Sequence, residues 1–464
     1  MSKNEPERMA RKFLDDCADC DICRYLMEDT SCQVFPKLYE LYDREASHRE
    51  KITHEELKRL IELCNFCGLC PCSNVRSDIM KAKHAFVSRD GLKPTLRLLE
   101  DVERVARVCG AYPRLTNMLL KKERTGGVLK KVAGLHPHRK VPEFPQESFR
   151  GWAKHQGLDI MRAKGKRKVA FFAGCTGQYL FPQVPKAAVE VLRRNGIELY
   201  FPEQKCCGMP SLLEGDRDLT FKFAKFNTEH LIPALEAGYD IVCSCPTCGY
   251  MLKHVMADGA VNSFEAGRHP ARPGIAPARQ DAATQGVPVA CSAGKGPIEG
   301  LLQDQGYFAA ISARQRIAIA AHTYDLGEYL LSLHRAGALD TRFEPIAEDL
   351  AYYPPCHMRE QNIGQPYAEI LRLIPQASLN IIEGAFYCCG IAGIMGFKRD
   401  FHEVSTEMGS RLMEKIREID PQRLVSDCLS CRIQFNQLLP YRVIHPIEIL
   451  YEAYLNSADC MSGR

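Results

Sequence analysis

The sequence predicts an α/β protein with a small helical, cysteine-rich domain in front of it. Three observations carry that expectation. Short β-rich runs alternate with helical patterns, the alternation occurs twice in matched form, and eight of the 22 cysteines fall within the first 72 residues. A chain of 464 residues has room for two or three domains. Its net charge of +4 is small for that length and implies no nucleic-acid partner. The opening residues are charged and lack an apolar run, and no stretch is long and apolar enough to span a membrane, so a cytoplasmic location is expected. In a reducing compartment, clustered cysteines point to metal or redox chemistry rather than to disulfides. The expected layout is a helical domain over 1–100, a basic connector over 101–165, a first cysteine-rich unit over 166–255, an insertion over 256–320 and a second unit over 321–464.

The segment CADCDIC places Cys17, Cys20 and Cys23 at three-residue spacing, followed by Cys32, and CNFCGLCPC supplies Cys64, Cys67, Cys70 and Cys72. Three thiolates so spaced wrap one corner of a [4Fe–4S] cluster. In two-cluster ferredoxins the fourth thiolate comes from the other motif. The expected sets are therefore Cys17, Cys20, Cys23 with Cys72, and Cys64, Cys67, Cys70 with Cys32, which makes the domain ferredoxin-like. The spacing is irregular: Cys23 to Cys32 is long, Cys70 to Cys72 is short, and Pro71 precedes the last cysteine instead of following it. Two zinc knuckles are the alternative, although zinc usually takes its cysteines in pairs. Between the motifs, residues 34–64 read as a helix, with Thr53 and Glu56 spaced as a capping box.

Residues 104–140 hold ten Lys or Arg against one acidic residue, Glu123, interleaved with Leu, Met and Val. Such a segment suits an anionic membrane surface or an acidic partner, or else a solvated connector whose periodicity breaks at Gly126–Gly127.

The remainder reads as two copies of one pattern. KVAFFAGC, IELYFPEQKCCG and DIVCSCPTC are answered by LAYYPPC, LNIIEGAFYCCG and RLVSDCLSC. The cysteine sets are Cys175, Cys206, Cys207, Cys245, Cys248 and Cys356, Cys388, Cys389, Cys428, Cys431. The single cysteine precedes the pair by 31 positions in one copy and 32 in the other, and the pair precedes the last group by 38 and 39. Each group follows a β-rich run, and helical patterns separate the runs, as in a parallel sheet. Cysteines at the carboxyl ends of parallel strands converge where such sheets bind ligands. Gly208 and Gly390 follow the pairs, either for a positive-φ turn or for close approach to a cluster. Cys243 is matched by Ser426 and is not expected to ligate. Cys109, Cys291 and Cys460 also stand outside the motifs. Residues 257–300, rich in Gly, Ala, Pro and Arg, read as an exposed insertion. His357 and His445 adjoin the second copy's motifs, where a hydrogen-bonded structural role is the first expectation.

The two Cys-Cys-Gly repeats resemble the cysteine-rich domains of heterodisulfide reductase catalytic subunits, and with the N-terminal motifs the chain resembles their ferredoxin-fused form. It is also similar to the iron–sulfur subunits of anaerobic glycerol-3-phosphate dehydrogenase and of glycolate and lactate oxidases, most densely in YYPPCHMREQNIGQP, CCGIAGIMGFK, SDCLSC and HPIEIL. The resemblance implies that all ten repeat cysteines hold non-cubane [4Fe–4S] clusters. It further implies a hetero-oligomeric complex of anaerobic respiration. A flavoprotein dehydrogenase would stand on one side, since this chain lacks a G-x-G-x-x-G motif. A quinone or membrane redox protein would stand on the other, which places the chain peripherally at the inner face of the cytoplasmic membrane. Members of the glycerol-3-phosphate family can lack a cysteine of the first repeat. Here both sets are complete, which supports a rival expectation, catalysis of disulfide or thiol redox. A zinc-stabilised scaffold or redox sensor is a third reading.

Overall fold

A computed structural model describes residues 4–162, 165–260, 306–382 and 387–459. The N-terminal domain is helical. Helices Glu5–Cys20, Val34–His48, His54–Glu62 and Ser73–Asp90 close on Leu14, Phe35, Leu38, Leu60 and Ile61. The capping box forms: the Thr53 hydroxyl accepts from the Glu56 amide at 3.2 Å, and the Glu56 carboxylate accepts from the Thr53 amide at 2.9 Å. The expected single helix over 34–64 is two. Arg49, at φ +55°, ends the first, and the Thr53 cap starts the second.

The connector is also helical, with Pro94–Leu99, Val102–Cys109, Pro113–Lys121, Glu123–Val132 and Phe149–His155. Gly126 and Gly127 do not interrupt it. A Cβ at Gly126 would lie 2.5 Å from the Leu120 carbonyl oxygen, so glycine lets helix Glu123–Val132 close against its predecessor.

Two four-stranded parallel sheets follow. Strands β1 (Lys168–Phe172), β2 (Glu198–Tyr200), β3 (Asp240–Cys243) and β4 (Thr323–Asp325) lie in the order 2-1-3-4. Strands β5 (Asp349–Tyr352), β6 (Ser378–Ile381), β7 (Arg423–Val425) and β8 (Arg442–Ile444) repeat it as 6-5-7-8. Val169 pairs with Asp240 in the first sheet and Leu350 with Arg423 in the second. The central strands are almost wholly apolar and buried, as helices on both faces require. The expected boundary at 321 is corrected by β4. That strand pairs with β3, Ile241 opposite Thr323, so the first unit takes its last strand from beyond the insertion. Residues 261–305, which include Cys291 and most of that insertion, and Cys460 lie outside the described residues.

One apolar core runs through both sheets. The C-terminal helix Pro446–Asp459 crosses to the first unit, where the Arg194 guanidinium and the Asn195 amide donate to Tyr454 at 3.2 and 3.4 Å. The N-terminal domain is fastened to the first unit by Lys83, a buried ammonium that donates to the carbonyls of Cys64 at 3.0 Å and Leu213 at 2.9 Å. Arg359 fastens it to the second, donating to the Cys67 carbonyl at 2.9 Å.

Candidate metal centres

Asp21, at φ +54°, breaks the first helix after Cys20 and restarts it at Ile22, which turns Cys17, Cys20 and Cys23 toward one region. Cys72 joins them as the residue before helix Ser73–Asp90. Burial pushes the Cys17 thiol up to about 12, and charge on Cys23 and Cys72 adds to it. Cys20 and Cys72 are exposed. The second set lies deeper. Cys32, Cys64, Cys67 and Cys70 line one cavity. Phe66 and Gly68, both at positive φ, fold the loop around it, and burial pushes Cys32 and Cys67 to about 12. The structure thus brings together the two crossed sets of four.

Every cysteine group of the repeats follows a strand. Cys175 comes after β1, Cys206 and Cys207 after β2, Cys245 and Cys248 after β3, and the second copy repeats the placement after β5, β6 and β7. Their thiols form one continuous string. Cys175 and Cys206 stand 3.4 Å apart. Cys206, Cys207, Cys248 and Cys245 then interact in turn, each with the next. The interactions cross from Cys245 to Cys428 and run on through Cys431, Cys389 and Cys388 to Cys356. The two five-cysteine sets meet at Cys245–Cys428. Nearly all of these thiols are buried, and ten adjacent thiolates cannot ionise in a low dielectric without compensating positive charge. Hydrogen bonds from Cys206 and Cys388 draw Cys207 and Cys389 down to about 6, while Cys175 and Cys356 are pushed up.

Backbone amides add partial positive charge. Cys428 caps helix Leu429–Leu438, its sulfur accepting from the Cys431 amide at 3.5 Å, and the Gly390 amide donates to the Cys388 sulfur at 3.3 Å. Gly208 and Gly390 sit at φ +96° and +88°. A Cβ on Gly390 would lie 2.0 Å from the Ser405 carbonyl oxygen, so its close neighbour is backbone. Cys243 ends β3 within the core.

Among the described residues, no three Cys, His, Asp or Glu side chains are grouped as ligands of a single metal ion would be. Zinc requires four donors about 2.3 Å from one point. A polynuclear cluster takes its thiolates at separate corners. Sets of four thiols suit [4Fe–4S] clusters, and the sulfur-only donor sets fit iron–sulfur groups throughout.

His357 and His445 are hydrogen-bonded structural residues. The imidazole of His357 contacts the Thr247 hydroxyl at 3.0 Å and the Phe66 carbonyl at 3.4 Å, joining both repeats to the N-terminal domain. His445 contacts the Ser244 carbonyl at 3.2 Å. Burial holds them down at about 4 and about 3. Sequence reasoning missed Gly174, where a Cβ would lie 2.7 Å from the Cys248 sulfur. It also missed Asn65, whose amide donates to the Cys388 sulfur at 3.3 Å. Both adjoin a motif cysteine, but only the fold reveals which distant thiol they touch.

A cavity of about 160 Å³ opens onto the thiol string. Its lining includes Cys175, Cys356, Cys389 and Cys428 together with connector residues, among them Val105 and Val141. Among the described residues, no helix is long and apolar enough to cross a membrane.

The paired sheets and repeated thiol placement define a protein with two tandem cysteine-rich units. Residues 169–253 and 350–436 each match the cysteine-rich CCG domain, so the chain carries two copies of that domain. It is 24% identical over 369 residues to a subunit of the anaerobic glycerol-3-phosphate dehydrogenase of Escherichia coli, covering 78% of each chain. It is 24% identical over 392 residues to a subunit of the fumarate reductase (CoM/CoB) of Methanothermobacter marburgensis, covering 80% of this chain and 66% of that one. Lactate utilization protein A of a Geobacillus species is 23% identical over 290 residues, covering 61% of this chain and 98% of the relative. The relatives support an electron-transfer role in an oxidoreductase.

Proposed function

We propose that this chain is the iron–sulfur electron-transfer subunit of a hetero-oligomeric oxidoreductase, placed between a flavoprotein dehydrogenase and a quinone or membrane redox acceptor. The observation that carries the reading is the order of the thiols. The set at Cys17, Cys20, Cys23 and Cys72 reaches the surface beside exposed Ile22, Tyr25 and Leu26, an apolar patch suited to a protein partner. The set at Cys32, Cys64, Cys67 and Cys70 lies inward. Charge on Cys356 acts on Cys67, so this set adjoins the second repeat, and the second repeat touches the first at Cys245–Cys428. Bound iron–sulfur clusters supply one-electron chemistry. The protein's contribution is to space the sites, bury the inner ones and expose the outermost.

Iron per chain after strictly anaerobic purification, followed by stepwise reduction monitored by electron paramagnetic resonance, tests this proposal. About 16 iron atoms and several interacting signals are expected for four loaded sites. Zinc in their place, or no reducible signal, overturns it. The rival reading, disulfide or thiol catalysis at the repeats, is favoured by the cavity that reaches their cysteines. A new paramagnetic signal on adding thiol to the oxidised protein would support it.

A further inference from the structure

We propose that Lys83 is the buried counter-ion of the inner set, Cys32, Cys64, Cys67 and Cys70, and holds it at a higher potential than the exposed set, so that electrons entering at the surface run inward. The assignment rests on the electron-transfer reading above. Lys83 lies on helix Ser73–Asp90, and its side chain is buried where the N-terminal domain meets the first unit. Its ammonium donates to the Cys64 carbonyl at 3.0 Å and to the Leu213 carbonyl at 2.9 Å. Two carbonyl dipoles do not neutralise a cation, and a buried one left uncompensated is costly. Of the charges that act on it, that of Cys64 is the largest. Glu214 comes next but is engaged by Lys398 at 2.9 and 3.1 Å, the charge of Lys398 opposes, and Glu62 acts most weakly. The group this ammonium compensates is therefore the thiolate set beside it.

Two effects compete at this set. Four thiolates around a [4Fe–4S] cluster make the site anionic, and an added electron makes it more so. Burial alone disfavours that added charge and would give the inner set the lower potential of the two. A cation held against the carbonyl of a ligand residue favours it, and in a buried site that attraction is several times stronger than in water. The ammonium thus reverses the order that burial would set.

The other charges beside the inner set either balance or add. Arg76 is engaged by Glu360 at 2.7 Å. Arg359 donates to the Cys67 carbonyl at 2.9 Å, and its charge acts on Cys67 from the second repeat. At the exposed set the cations are matched by carboxylates: Arg24 is engaged by Asp21 at 2.8 Å and Asp43 at 2.7 Å, and Lys12 by Asp16. Lys83 itself follows Cys72 by eleven positions along one helix, about 16 Å at the helical rise, so its charge reaches the exposed set weakly.

The test is an anaerobic redox titration of the iron-loaded protein followed by electron paramagnetic resonance, with the signal of the exposed set identified by its loss in Cys20→Ser. In the wild type the inner set should be reduced first. Lys83→Met keeps the length of the side chain and removes its charge. It should disfavour reduction of the inner set by about tenfold or more, equivalent to about 59 mV for one electron, with the exposed set and the iron content unchanged. Lys83→Arg, which restores the charge, should recover most of that shift. Where Lys83→Met does not load iron, Glu214→Gln gives the converse reading: with a negative charge gone from beside Lys83, the inner set should become easier to reduce. An inner potential that responds to neither substitution in iron-loaded protein, or a wild type whose exposed set is reduced first, overturns the assignment. The electron-transfer reading then stands, since both sets still take up electrons. Iron-loaded sets that accept no electron at all overturn that reading itself.

Discussion

The two repeats share strand order and five thiols, yet their surroundings differ. The second is pressed against the N-terminal domain. Asn65 donates to the Cys388 sulfur, the Ser31 hydroxyl accepts from the Cys388 amide at 3.1 Å, and Arg359 holds the Cys67 carbonyl. The first repeat meets the same domain through Lys83, which donates to the Leu213 carbonyl at 2.9 Å, and packs against the crossing C-terminal helix. At the seam Cys245 and Cys428, in matching positions of the two repeats, interact directly with one another.

The strongest way to break this comparison is to remove one site at a time. Cys207→Ser and Cys389→Ser should each lower iron by about four atoms of about 16. Only Cys389→Ser should also alter the signal of the Cys32, Cys64, Cys67, Cys70 set, because charge on Cys356 of the second repeat acts directly on Cys67. Equal effects of both variants on that signal would remove the distinction. Next comes stability. Alanine at Gly390 places a Cβ 2.0 Å from backbone oxygen, whereas at Gly208 the nearest atom is the Thr220 methyl at 3.4 Å. Both replacements carry the left-handed penalty of about 1–2 kcal/mol. Gly390→Ala should cost about 3 kcal/mol or more in denaturant unfolding, Gly208→Ala only the smaller amount.

A third contrast concerns pH. Glu100 is fully buried, neither of its oxygens meets a hydrogen-bond donor among the described residues, and it lies against Asp216, the cap of helix Arg217–Glu236 in the first unit. Burial, then the charge of Asp216, pushes it up to about 9 from an ordinary value of 4.5. The folded protein therefore holds a proton there that the unfolded chain releases. The stability this contributes is fully present below pH 4.5 and is lost as pH rises toward about 9, by at most about 1.4 kcal/mol per pH unit. Thermal unfolding between pH 6 and 8.5 should show that slope in the wild type and a flatter one in Glu100→Gln. Equal slopes would mean that Glu100 is not protonated in the fold.

What the sequence disclosed follows from how each feature is encoded. The repeat was legible because ligand spacing is preserved within one residue, and β1, β3, β5 and β7 because buried parallel strands read as apolar runs. The short strands β4 and β8, three residues each, carry no such run, and β4 lies beyond an insertion that hides its membership of the first sheet. The break near Arg49 was missed because an arginine at positive φ leaves no compositional mark. The helix through Gly126 and Gly127 was missed because glycine there serves packing between helices and not termination. The contacts of Gly174 and Asn65 depend on residues tens to hundreds of positions away, which no local pattern records.

Asn65 supplies the smallest and most selective test. Its amide donates to the Cys388 sulfur at 3.3 Å, and its carbonyl accepts from the Cys67 amide at 3.2 Å, so one side chain touches both the inner N-terminal set and the second repeat. A hydrogen bond to sulfur stabilises the more electron-rich, reduced form and raises the potential of the group that the sulfur ligates. At Cys206, the matching residue of the first repeat, the nearby side-chain amide of Asn227 donates to the backbone carbonyl at 3.0 Å and not to the sulfur. Asn65→Ala should therefore lower the midpoint potential of the second repeat's signal and leave that of the first in place. Asn65→Asp, which keeps the acceptor toward Cys67 but removes the donor, should do the same. Iron content should be unchanged in both variants. A parallel shift of both repeat signals would mean that the two sites are electronically one.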